Sequence, residues 1–279
     1  MKAASFDYQR PASLADALRM LAGAAGTAKV MGGGQSMGPM LNLRLTRPRQ
    51  VIDLSALPEL RQVARDGDAI RIGAAVTHAE IEDGVHAPLR AGLLQSVAGG
   101  IAYRAIRNRG TVGGSLAHAD PAADWVLAMS ALGAQIEISS AAGTRRVPMD
   151  RFMHGAYTTD LAEDEVIVAV RVPALGEVAR WGYHKFCRKT GEFAEAGCAA
   201  VFDPDRKLAR VVIGALDGAP QALAALAAQV ARSGALPERA AIEAAVATAA
   251  ATKDAIDRKL LVAAVERCLH QVLNTEPVQ

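Results

Sequence analysis

Three consecutive glycines, Gly32, Gly33 and Gly34, follow an apolar run that ends at Val30 and Met31, and lead through Gln35 and Ser36 into a helix-like segment beginning at Met37. This order predicts strand, open turn, helix. Without Cβ atoms, successive backbone N–H groups can point into one concavity, and the following helix aims its N-terminus at the same place. Such a turn suits a phosphate or diphosphate. It belongs to neither of two common phosphate loops: a G-x-G-x-x-G reading from Gly32 lands on Met37, and a G-x-x-x-x-G-K-[ST] reading from Gly33 meets Pro39 after Gly38. A purely structural glycine turn is the competing reading.

A second glycine-rich stretch runs from Gly99 to Ser115, and in it Thr111, Val112, Gly113, Gly114 and Ser115 offer another possible nest with a hydroxyl at each end. Two such turns could hold a diphosphate between them without many lysines. That matters here, because the net charge is only +2 and the basic residues are interspersed with acidic ones. No basic stripe advertises nucleic acid or an anionic membrane.

The rest of the pattern is that of a globular chain, 51% hydrophobic and 22% charged, whose 279 residues suggest two domains. Ser13 caps a helix carrying Leu14, Ala17, Leu18 and Leu21; residues 51–54 form a strand; Asp66-Gly67-Asp68 turns a hairpin; Thr77 starts a short helix. Residues 86–98 read as one helical run, 122–132 as another, and 165–172 as a strand ended by Pro173. Beyond a boundary near 173–177, three antiparallel strands at 181–188, 198–203 and 208–216 precede alanine-rich helices, the last of which lies on that sheet. The three cysteines, Cys187, Cys198 and Cys268, are isolated and do not have the spacing of a zinc or iron–sulfur site. The N-terminus lacks the apolar core of a signal peptide and no stretch is long and apolar enough for a transmembrane helix, so a cytoplasmic location is expected.

The GGGQS turn, the stretch RNRGTVGGSLAHADPAAD and the later YHKFCRKTGEFAEAGCAA, three motifs in this order over nearly the whole chain, resemble the FAD-binding medium subunit of the molybdenum hydroxylases, the xanthine dehydrogenase and carbon monoxide dehydrogenase group. The resemblance implies an α+β fold. Residues 1–176 would be a two-lobed FAD-binding domain of the vanillyl-alcohol-oxidase type, and 177–279 a small domain with a three-stranded antiparallel sheet and a helical layer. It further implies that Gly32, Gly33, Gly34, Gln35 and Ser36 wrap the FAD diphosphate from one side and Thr111 to Ser115 from the other, with Val30, Met31 and Met37 lining the approach. Where the family often has Asn at the end of the second loop, this chain has Ser115.

By the same resemblance Asp124 accepts hydrogen bonds from FAD, Lys185 lies close to the flavin, and Ile101 and the backbone near Ile167 lie beside the isoalloxazine ring. A cation there would stabilise an anionic reduced flavin. Read without the resemblance, Asp124 is a helix N-terminal acid and Lys185 a solvated strand residue. The function implied is an electron-transfer flavoprotein subunit, with molybdopterin on a large partner and [2Fe–2S] clusters on a small one, in a heterotrimer or a dimer of heterotrimers. A stand-alone FAD oxidase or reductase and a non-redox nucleotide-binding scaffold are the competing readings. Arg104, Arg107 and Arg109 read as a partner-facing or flavin-edge cluster or as a solvated basic patch, and His118 with Asp120 and Asp124 as a weak candidate for metal or acid–base chemistry.

Overall fold

The computed structural model describes residues 2–274. The chain begins with β1 (Asp7–Gln9), α1 (Leu14–Gly23), β2 (Ala28–Met31), α2 (Met37–Asn42) and β3 (Gln50–Asp53). The three strands pair in parallel in the order β1-β3-β2, with the two helices as crossovers. Ser13 caps α1 by accepting from the Asp16 amide, and Ala17, Leu18 and Leu21 turn inward at helical spacing.

Next come β4 (Val63–Asp66) and β5 (Ala69–Gly73), then α3 (His78–Glu82), α4 (Leu93–Gly100), α5 (Arg104–Arg107), α6 (Val112–His118) and α7 (Asp124–Leu132). This part closes with β6 (Gln135–Ser140), β7 (Gly143–Pro148), α8 (Met149–Phe152), the small pair β8 (Met153–Gly155) and β9 (Thr158–Thr159), and β10 (Val166–Pro173). An antiparallel sheet forms in the order β4-β5-β10-β6-β7. Val166 and Val168 of β10 share a core with Ala17, Leu18 and Ile52, so the first three-stranded sheet is fastened to the second by apolar burial. Residues 86–98 are not one helix. A 3-10 turn at Ala87–Leu89, with Pro88 inside it, is separated from α4 by Ala91 at φ 54° and by Gly92 at the N-cap.

The C-terminal part contains β11 (Arg180–Phe186), β12 (Ala196–Asp203), β13 (Leu208–Gly214), β14 (Gln221–Ala222), α9 (Ala224–Ser233), α10 (Arg239–Ala249) and α11 (Ala255–Asn274). The expected three-stranded sheet therefore has a fourth, two-residue edge strand, because Gln221 and Ala222 pair with Ile213 and Val212 before α9 begins. Every residue of β12 is buried. Its alternation explains why. Ala196, Cys198, Ala200 and Phe202 pack into the helical cluster of α9 to α11, whereas Ala199 and Val201 join the core that contains α7. Leu127 of α7 sits over Gly197 and Gly214, which are paired in register; a Cβ on Gly197 would lie 2.9 Å from Leu127 Cδ2. The connection before β11 is held down by Asp203, whose carboxylate accepts from the Gly176 amide at 2.7 Å.

Candidate functional site

The glycine turn leaves the C-terminal end of β2, beside Asp53 at the end of β3. Among the described residues, the N–H groups of residues 32–37 donate to no protein acceptor; the first amide of this segment to bond is Gly38, to Gly34 O at 2.8 Å. Gly34 adopts φ +74°, a conformation that L side chains disfavour. Six successive unpaired donors on a partly exposed turn need water or an anion to satisfy them.

The second stretch lies directly against the first. An added Cβ on Gly33 would fall 1.8 Å from Arg109 O, and one on Gly32 would fall 2.7 Å from Thr111 Oγ1. No side chain fits between the two backbones. Arg109 Nε reaches Gly33 O at 3.4 Å, and Gln35 Nε2 reaches the same carbonyl at 3.2 Å.

The expectation of a second donor nest needs correction. Thr111 is the N-cap of α6, with its hydroxyl accepting from Gly114 N at 3.1 Å. Val112 N donates to Val76 O at 3.0 Å, Gly113 N to Ala74 O at 2.9 Å and Ser115 N to Thr111 O at 3.0 Å. These amides anchor the segment to residues 74–76 and close the first turn of the helix, so of the five only the Thr111 amide is left without a protein acceptor among the described residues. Gly113 is glycine because a Cβ there would meet Ala74 Cβ at 2.5 Å. What faces the first turn is the Thr111 hydroxyl and glycine backbone, with Ser115 half-buried behind them.

A second group forms where α4, α7 and β11 meet. Lys185 Nζ lies 2.8 Å from Asp124 Oδ1 and donates to Gly100 O at 2.9 Å, and Tyr183 OH donates to Asp124 Oδ1 at 2.6 Å. Both charged side chains are nearly inaccessible, at 6% exposure for Asp124 and 11% for Lys185. A buried charge needs such pairing. Burial first, and the Asp124 carboxylate second, push the Tyr183 phenol well above its ordinary range, so it stays protonated and donates. Tyr183 was absent from the residues singled out by sequence. Its signal was the two-residue spacing from Lys185, which puts both on one face of β11.

Ile101 follows Gly100 and is half-buried against the main core; its carbonyl and that of Ala102 accept from Arg107 at 2.9 and 2.8 Å. The structure thus gathers Ile101, Asp124 and Lys185, and separately gathers Gly32 to Met37 with Thr111 to Ser115. Val30 is half-buried against the first sheet's core, and the Met31 sulfur lies beside Gly34. Ile167 has its side chain in the main core, in register with Ile138, which leaves only its backbone for a ligand.

Other candidates resolve into scaffold. Arg104 and Arg107 pair with Glu82, Arg104 also with Asp83, so these two are structural and only Arg109 touches the glycine turn. His118 packs on Tyr157, whose hydroxyl donates to Asp120 at 3.2 Å, and no group of three or more metal-ligating side chains occurs among the described residues.

Residues 4–175 match the family described as the FAD binding domain in molybdopterin dehydrogenase. The chain belongs to this family. It is 39% identical over 196 residues to the carbon monoxide dehydrogenase medium chain of Hydrogenophaga pseudoflava, covering 70% of this chain and 68% of that one. It is 38% identical over 201 residues to the nicotine 6-hydroxylase medium subunit of Paenarthrobacter nicotinovorans, covering 72% and 70%. Among solved structures, a carbon monoxide dehydrogenase from Hydrogenophaga pseudoflava superposes with a TM-score of 0.88 at 32% identity, and quinoline 2-oxidoreductase from Pseudomonas putida 86 with 0.86 at 31%; each match covers 98% of both chains. The mixed fold of helices and sheets is therefore that of the medium chains over 98% of its length.

The residues present fit the family's cofactor in one specific respect: the unpaired amides of 32–37 form a cradle for a diphosphate that a Cβ at Gly33 would displace. Gly33→Ala should accordingly lower flavin content in the purified protein by at least about tenfold while circular dichroism still reports a folded chain; full flavin content in that variant would contradict the cradle.

Behind the second stretch, His78 is buried and accepts from Trp125 Nε1 at its Nδ1, 2.9 Å away. Burial, and then the Arg107 charge, lower its pKa to about 4. Between that value and the unfolded value near 6.5, the unfolded chain binds a proton that the folded one excludes. Stability from neutral His78 is thus complete above about pH 6.5 and is lost as pH falls towards 4, by roughly 3 kcal/mol. Urea unfolding at pH 7 and pH 4.5 should show a larger loss for the wild type than for His78→Gln; equal losses would mean that the imidazole titrates freely.

Proposed function

We propose that this chain is the FAD-carrying electron-transfer subunit of a heteromeric molybdenum hydroxylase, an oxidoreductase. The observation that carries this reading is the run of six unpaired amides at 32–37, backed by a second glycine segment too close for any side chain and set in a chain of the medium-subunit family. In this reading residues 1–176 form the two-lobed FAD domain of the vanillyl-alcohol-oxidase type and 177–279 the small domain. A large molybdopterin subunit and a small [2Fe–2S] subunit are the partners, in a heterotrimer or a dimer of heterotrimers, and the location is cytoplasmic. Only three cysteines, without cluster-ligand spacing, support assigning the clusters to another polypeptide.

The chain's own residues would divide the work as follows. The amides of Gly32, Gly33, Gly34, Gln35, Ser36 and Met37 hold the diphosphate by hydrogen bonds to its oxygens, with Val30 and Met31 beneath the turn. Thr111, Val112, Gly113, Gly114 and Ser115 form the opposing wall, and through it the diphosphate is shielded from water on one side. Ile101 and the backbone at Ile167 border the ring. Asp124 accepts from Tyr183 on Oδ1 and from Lys185 on both oxygens, at 2.8 and 3.1 Å, and would offer the remaining acceptor capacity of Oδ2 to the cofactor. When bound, FAD supplies a carrier that takes up electrons from a one-electron donor and releases them to an acceptor.

Lys185 does not act as a free cation. Its ammonium is already paired with Asp124, so its field at a neighbouring ring is that of a dipole and weaker than that of an unpaired lysine. Lys185→Met leaves Asp124 as an uncompensated anion and should lower the flavin potential. The purified chain should show visible flavin absorption, and an affinity-tagged copy expressed in its own cell should bring down two subunits carrying iron and molybdenum. A colourless protein that takes up no FAD would refute the flavoprotein reading, and a coloured protein that captures no such partners would favour a stand-alone oxidase.

A further inference from the structure

At the end of α7 opposite Asp124, a cleft of ≈ 480 Å³ opens between the antiparallel sheet and β13. Its cations are all arginine: Arg146 of β7, Arg171 of β10, Arg206 in the turn after β12 and Arg210 of β13. We infer that this cleft binds an organic phosphate of nucleotide size, at a site separate from the glycine turn.

The charge balance is the first argument. Arg146 and Arg171 share the buried carboxylate of Glu137 with Arg71, and Arg171 also pairs with Asp66. These three guanidiniums face two carboxylates, so part of their donor capacity is left over. Arg206 and Arg210 pair with no carboxylate among the described residues. Arg210 lies flat against Gly133, where an added Cβ would come within 3.1 Å of its Cζ, and Nη1 reaches Ser130 O at 3.4 Å in the last turn of α7. Arg206 is exposed and its backbone N–H donates to Asp203, while its guanidinium is unpartnered among the described residues. The one carboxylate lining the cleft is Asp68. Gathering like charges from two parts of the chain is unfavourable without a counter-ion, and the planar guanidinium fork matches phosphate oxygens better than an ammonium does.

Shape and surface give the second argument. The volume falls within the range of small-molecule sites, and half-buried Leu208, with Leu132 and Val172 buried beneath it, adds apolar wall beside the arginines. A phosphate on the guanidiniums with a ring against that wall uses both features. Inorganic pyrophosphate uses only the first.

The test is calorimetric titration of the flavin-loaded full chain, freed of excess FAD, with ADP and with pyrophosphate. Saturable ADP binding is expected, at least about tenfold tighter than pyrophosphate, weakening as salt rises and without flavin release. Arg206→Glu should weaken it by about tenfold or more at unchanged melting temperature and flavin content, and Arg206→Lys should weaken it less. The inference is overturned by an absence of saturable binding, by ADP and pyrophosphate binding equally, by binding indifferent to Arg206→Glu, or by ADP binding only as flavin leaves. A cleft that takes an acidic segment of a partner protein instead would give the first of these results.

Discussion

Two stretches of bare backbone meet at Gly32 and Gly33 on one side and Arg109 to Gly114 on the other, and the site depends on that contact. The two have opposite hydrogen-bonding habits. The second stretch commits its amides to Ala74, Val76 and its own helical cap, and is thereby fixed to the antiparallel sheet. The first commits none between residues 32 and 37. A rigid wall therefore braces a turn whose donors are free, and preorganised donors of this kind bind an anion without paying the cost of ordering them.

Helix α7 ties this arrangement to the rest of the chain. Its first residue, Asp124, meets Tyr183 and Lys185 of β11; its middle residue Leu127 fills the notch over Gly197 and Gly214; its last turn faces Arg210. Eight of its nine residues are buried, which leaves it no solvent face and explains why its apolar pattern lacks a clear stripe. The ion pair and the apolar notch together join the C-terminal sheet to the part of the chain bearing the glycine turns. Most of the fastening comes from the apolar part, since a buried ion pair roughly balances its desolvation.

Local signals were the legible part of the sequence. Ser13 and Thr77 as N-caps, the turn at Asp66-Gly67-Asp68 and the strand–turn–helix at Gly32 all act within a few residues, and the structure has each of them. What sequence did not convey was where backbone donors go. Thr111 to Ser115 has the composition of an open nest, yet the Val112 and Gly113 amides are taken by Val76 and Ala74, more than 35 positions earlier, a pairing no local pattern encodes. Tyr183 was hidden for a similar reason, because its partner Asp124 lies in another element. The edge strand Gln221–Ala222 is too short to show alternation, and the break at Ala91 falls inside an apolar run that fits a helix equally well. Asp124 and Lys185 were reached through family resemblance; their direct contact was reached only through the fold.

Hydrogen–deuterium exchange, read amide by amide with and without FAD, addresses the donor arrangement most directly. Free of ligand, residues 32–37 should exchange fast while Val112, Gly113 and Ser115 are already protected; with FAD, strong new protection should appear at 32–37 and little should change at 112–115. Protection gained mainly at 112–115, or none at 32–37, would contradict the account.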